Sequence, residues 1–169
     1  MATVSEPSRA NGFAMINTAT DHGTIVVEQT VNAPVAKTYG AFANAAEREA
    51  WAAPSDTATF IYDETDFRVG GRDVARCGAK ADPRFRVETR YVNIVPMQRI
   101  VSTETIHEVD QLLAVNITTI EFAPDNQRTR MKVTVQVTSF VGKAMIENTR
   151  AGHFGSLRNM AQYLETQPL

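Results

Sequence analysis

Apolar and β-branched residues alternate with polar ones from Thr24 onward. In TIVVEQTV, Ile25, Val27 and Val31 share one side, the period-two signature of a half-buried strand. The period then lengthens. Val35, Thr38, Tyr39 and Phe42 recur at helical spacing, with Asn32 as the expected N-cap and Pro34 early in the first turn, where a missing N–H costs nothing. AAEREAWAA, which holds Trp51, predicts a second short helix that Pro54 ends. From Thr57 to Val137 the chain reads as about six strands, separated by the turn-forming stretches YDETD, VGGRD, CGAKADPR, VPMQ, HEVDQ and APDNQ. The last strand is the clearest: Met131, Val133, Val135 and Val137 alternate with Lys132, Thr134 and Gln136, so one face is buried and the other wet.

Beyond Ser139 the helical period returns. Ile146, His153, Leu157, Met160 and Leu164 fall in one stripe, flanked by Thr149, Arg150 and Ala161, which predicts a long terminal helix. Residues 1–22 carry no sustained period and read as a loose arm with a short apolar patch at Phe13, Met15 and Ile16. Residues 23–167 then form a single α+β domain, an antiparallel sheet with helices on one face.

Composition narrows the function classes. With 43% hydrophobic and 21% charged residues, the 169-residue chain is too apolar for disorder and long enough to bury a core. Its net charge of −2 and pI near 5.9 lack the positive field that binding to nucleic acid backbones requires, so no nucleic acid partner is expected. No apolar run approaches the roughly 20 residues of a membrane span. The opening MATVSEPSRANG lacks the basic start and apolar centre of a secretory signal, so a cytoplasmic location is expected. The single cysteine, Cys77, excludes an internal disulfide.

Catalytic signatures are sparse. His22, His107 and His153 show no ligand spacing, so neither a metal nor another cofactor is expected. No Gly-x-Ser-x-Gly elbow is present, and Gly70-Gly71 reads as a turn needing unusual backbone angles. Cys77 precedes a turn glycine and reads as an inert thiol. His107, beside Glu108 and Asp110, reads as a solvent-exposed turn residue. Asn116-Ile117-Thr118 matches a glycosylation acceptor only formally, because it falls in the middle of a strand.

Three ordered motifs resemble the START-like, or helix-grip (SRPBCC), superfamily, in the branch related to the activator of Hsp90 ATPase. TVNAPVAKTYGAFANAAEREAWAAP, with Ala33, Pro34, Trp51 and Pro54, is similar to its opening; DFRVGGRD, residues 66–73, to a hairpin; and GHFGSLRNMAQYLE to its closing Gly-Trp helix. The likeness spans residues 24–166. It implies a curved seven-stranded antiparallel sheet wrapped around the long C-terminal helix, with two short helices between strands 1 and 2. It also implies a cavity between sheet and helix for an apolar or amphipathic small molecule. The chain departs from the pattern at His153, where the family usually has Trp.

Several residues are candidates to line such a cavity. Trp51, Phe60, Phe67 and Tyr91 supply aromatic walls, and Val135, Thr149 and Leu157 come from the buried faces of the last strand and helix. If Phe122 points inward, alternation carries Ile120, Thr118 and Asn116 with it. His153 is the candidate donor or general acid/base. Arg76 and Glu104 are most simply solvated, and act as polar contacts if buried together. Arg84, Arg86, Glu88 and Arg90 form a charged strand face, exposed or used as the edge of a homodimer. The leading expectation is a binding domain with a closed apolar cavity. One alternative is a cyclase or dehydratase of polyketide-like substrates, with His153 paired to Arg76 or Glu104. Another is an interaction module, associated with a chaperone or with itself, whose cavity has collapsed and which exposes an apolar patch.

Overall fold

The computed structural model describes residues 19–167. The apolar patch at Phe13, Met15 and Ile16 lies outside them. The elements run β1 (Asp21–Val31), α1 (Val35–Ala43), α2 (Ala45–Trp51), β2 (Ala58–Glu64), β3 (Arg72–Ala79), β4 (Asp82–Val95), β5 (Arg99–Glu108), β6 (Gln111–Asp125), β7 (Arg128–Ser139) and α3 (Ala144–Thr166). β1 starts three residues before the alternation becomes legible at Thr24. Strands β2 to β7 pair consecutively, and β1 closes the order β1-β7-β6-β5-β4-β3-β2, antiparallel throughout. The curved seven-stranded sheet with a long C-terminal helix is the helix-grip arrangement.

Alternation decides the faces. On β7, Met131, Val133, Val135 and Val137 are buried, whereas Lys132 and Gln136 are exposed. Ile25 and Val27 of β1 pair with Val135 and Val133 and extend the same inner face. The helices cover it. Met160 and Leu164 of α3 are almost wholly buried there, and Ile146 packs so close to Gly23 that a Cβ at Gly23 would lie 2.7 Å from its Cγ2.

The caps differ from the sequence reading. Pro34, extended at φ −60° and ψ 155°, itself occupies the N-cap of α1, so the helix starts at Val35, beyond the reach of Asn32. Asn44 breaks the helical run instead, and its side chain accepts from the Ala46 and Glu47 amides at 3.0 and 3.2 Å to cap α2. That helix stops at Trp51, before Pro54 is reached.

Two sets of side-chain bonds fix the helices. Thr129 of β7 donates to the Ala33 carbonyl at 2.8 Å and meets the Thr38 hydroxyl at 3.1 Å, tying α1 to the sheet. Ser156 and Asn159 of α3 donate to the Ala52 and Ala53 carbonyls, each at 2.6 Å. Edge-to-face rings then connect the layers, from Phe67 through Tyr39 and Phe122 to Phe42 and Trp51, with centroids 5.1–6.1 Å apart. Gly70 turns the loop between β2 and β3 at φ +80°, and that loop bonds to both backbone groups of Tyr91.

Candidate functional site

Two register rows carry polar side chains across the inner face of the sheet. One runs Asp73, Thr89, Glu104, Asn116 and Val137, and the next Tyr91, Ser102, Thr118 and Val135. Where α2 and α3 cross these rows, an internal cavity of about 110 Å³ remains. Phe42, Phe67, Ile100, Ile120, Val133 and Leu157 give it apolar walls, and Arg48, Tyr62, Tyr91, Ser102, Glu104, Thr118 and His153 give it polar ones. Central strand positions that would normally be aliphatic hold Ser102, Glu104 and Thr118, so polar groups interrupt a lining that is otherwise apolar. A broader depression of about 720 Å³ lies across Glu28, Lys132, Glu121 and Arg99, whose charges alternate along one register row. That surface lies on solvent-facing charges, and the smaller, partly open cavity between sheet and helices is the candidate site.

At one end of the cavity Arg48 projects from α2. Its Nη2 donates to Asp73 Oδ2 at 2.8 Å, its Nη1 donates to the Phe42 carbonyl, and both members of the ion pair are buried. The Tyr91 hydroxyl donates to the same Asp73 oxygen at 2.5 Å, while the Asp66 amide satisfies Oδ1 at 2.8 Å. The guanidinium also stacks over the rings of Tyr62 and Phe67, 4.8 and 5.7 Å from their centroids. Its Nε is buried without a hydrogen-bond partner among the described residues. Burial pushes the Tyr62 hydroxyl up to about 12, with Arg48 opposing, and raises Tyr91 as well, so both phenols stay protonated donors at neutral pH.

At the other end Glu104 accepts a bond from Asn116 Nδ2 at 3.4 Å. Asn116 is fully buried, and its Oδ1 and the Thr118 hydroxyl lack partners among the described residues. His153 faces this end from α3. Loss of water lowers its imidazole below the ordinary 6.5, against the pull of Glu104, so the ring is neutral at pH 7.

Of the sequence candidates, Phe67, Tyr91, Glu104, Thr118, Ile120, His153 and Leu157 line the cavity. Asn116 and Val135 sit beside it in the same two rows. Trp51 stands one layer back, its ring 5.1 Å from Phe42 and its indole N–H on the Ala41 carbonyl. Thr149 turns its hydroxyl onto its own helix at Met145, and Phe60 packs on Tyr62. Arg76 faces outward, because the inner face at this point takes Ala75 and Cys77's register partner Phe60. It forms a bidentate pair with Asp63 on the outer face, where Arg84, Arg86 and Arg90 are also exposed. His107 lies opposite Arg86 in the register, away from the cavity lining, and is half-buried rather than exposed. Arg48 and Ser102 were not anticipated.

Residues 32–165 match the family model described as Activator of Hsp90 ATPase homolog 1-like protein. The chain belongs to this family. Among solved structures, the Mll3558 protein of Rhizobium loti is 30% identical with a TM-score of 0.75, over 86% of this chain and 99% of its own. A protein of Rhizobium leguminosarum is 25% identical with a TM-score of 0.77, over 88% and 98%. DynU16, from the dynemicin biosynthetic locus, is 14% identical with a TM-score of 0.62, over 85% of this chain and 47% of its own, a likeness of fold alone. A comparison with curated proteins finds no match. In this Activator of Hsp90 ATPase homolog 1-like chain, no helix among the described residues is long and apolar enough to cross a membrane.

Proposed function

We propose that this domain binds a small amphipathic molecule in the cavity between the sheet and α3. One observation carries the reading: a space is kept between the sheet and α3, with apolar walls on its sides and, at both ends, buried polar atoms without hydrogen-bond partners among the described residues. Buried polar groups left without partners cost about 1–3 kcal/mol each, so a core built only for stability would have replaced them. At about 110 Å³ the space is below the roughly 300–1,000 Å³ of pockets for drug-sized ligands, which favours a compact ligand over a long lipid.

The test is native mass spectrometry of the purified protein followed by denaturing extraction. A co-purifying small molecule whose release shifts the NMR signals of Thr118, Ile120 and Leu157 supports the reading. An apo protein in which Leu157→Phe fills the space and raises stability, with no small-molecule binding lost, speaks against it.

A second reading has its own support. Glu104 and His153 face one cavity, the convergence that acid/base chemistry of the cyclase or dehydratase kind requires. If a bound molecule is converted, His153→Ala should lower turnover by about 10²-fold or more. Retained turnover would remove His153 from that role.

A further inference from the structure

The charges around the cavity do not balance. Arg48 is matched one-to-one by Asp73, and the Tyr91 hydroxyl is spent on the same carboxylate. Glu104 has no salt-bridge partner among the described residues, only the amide of Asn116. His153 is the one basic side chain facing it from α3, and its desolvated ring is neutral at pH 7 and supplies no counter-charge. The field of Glu104 reaches His153, Tyr62 and Cys77, favouring the protonated form of each. Near Glu104, Asn116 Oδ1 is a buried acceptor and the Thr118 hydroxyl a buried group that can donate or accept, and neither has a hydrogen-bond partner among the described residues. This end of the cavity presents acceptor oxygens and a carboxylate with no ion-pair partner among the described residues.

We propose that the ligand carries a protonated amine, seated on the Glu104 carboxylate with the Thr118 hydroxyl as a further acceptor and Asn116 holding Glu104 from behind, and an apolar or aromatic body lying toward Tyr62 and Phe67. The inference rests on the binding reading above and specifies its ligand class. An ammonium has donors for both the carboxylate and the hydroxyl and no lone pair to be repelled. The aromatic faces of Tyr62 and Phe67 suit a cation's neighbourhood, and Arg48 already uses them in that way. A carboxylate ligand would find the Arg48 charge already neutralised and would meet Glu104.

Three probes of nearly equal size and shape separate the possibilities: benzylamine, benzyl alcohol and benzoate, titrated into the full chain and followed by NMR at Thr118, Ile120, Val133 and Leu157. The expected result is that benzylamine binds at least about tenfold tighter than either of the others, and that Glu104→Gln removes about that factor for the amine alone. If benzyl alcohol or benzoate binds as well as the amine, the charge preference is overturned while the binding reading stands. If none of the three perturbs these residues, both fall. The wild-type comparison decides the matter even if Glu104→Gln fails to fold.

Discussion

Arg48 and Asp73, 25 residues apart in sequence, meet at 2.8 Å with side chains only 5% and 3% exposed. A buried pair of this kind is far more sensitive to losing one partner than both, since the survivor keeps an unpaired charge in the core. Arg48→Met or Asp73→Asn should each cost about 3–5 kcal/mol. The double variant Arg48→Met/Asp73→Asn should cost clearly less than the sum. Urea denaturation of the four proteins gives the coupling, and additive losses would show that the pair is not a unit.

His153 makes stability depend on pH with a defined sign. Burial favours the neutral ring and outweighs the pull of Glu104, so the folded chain gives up this proton at a pH where the unfolded chain still holds it. The contribution is complete above the ordinary value of 6.5 and is lost as the pH falls from there toward the folded-state value. Between about pH 7.5 and 5 the wild type should therefore lose stability more steeply than His153→Gln. Glu104→Gln, by removing the opposing pull, should lower the imidazole pKa further in an NMR titration. Parallel slopes for wild type and His153→Gln would count against the desolvated histidine.

Two glycines of α3 should respond in opposite directions. A Cβ at Gly155 would lie 2.4 Å from the Pro54 carbonyl oxygen, whereas one at Gly152 meets nothing within 4 Å. Gly155→Ala is expected to cost about 1–3 kcal/mol by forcing helix and loop apart. Gly152→Ala should add about 0.5–1 kcal/mol, because alanine loses less entropy in a helix. Thermal melts of both variants check this pair.

Val109, at the β5–β6 turn, has φ +54° while 82% exposed. A β-branched residue in the left-handed region is strained, and here no packing compensates. Val109→Gly should raise stability by about 1 kcal/mol. A melting temperature that falls instead would show that the turn holds Val109 without strain.

Burial and the nearby Glu104 push the Cys77 thiol up to about 11. Since the thiolate is the reactive form, native protein should react with a disulfide reagent about 10²-fold more slowly than urea-unfolded protein. Equal rates would place the thiol in water.

The architecture was legible because β7 and α3 keep clean periods over 12 and 23 residues, long enough to exclude the other reading. The inner-face prediction from Phe122 through Ile120 and Thr118 to Asn116 likewise needed only alternation. Arg48 was not legible. Within AAEREAW an arginine reads as a solvated helix residue, and its burial depends on a carboxylate supplied by β3, a whole strand and two loops further along the chain. Its i,i+3 spacing to the buried Trp51 was the available signal. Arg76 keeps its simpler, solvated reading and drops out as a cavity contact: on an edge hairpin, one step in register separates the cavity face from the solvent face, and Asp63 waits on the latter.

The clasp that Ser156 and Asn159 make on the Ala52 and Ala53 carbonyls reads main chain on one side and side chain on the other. Its instructions are therefore written on α3 alone. Sequence drift at Ala53 leaves the acceptors in place, while Ser156, Asn159 and the missing side chain of Gly155 must persist together. The short helices can thus vary the groups they offer to the cavity without loosening the lid that closes over it.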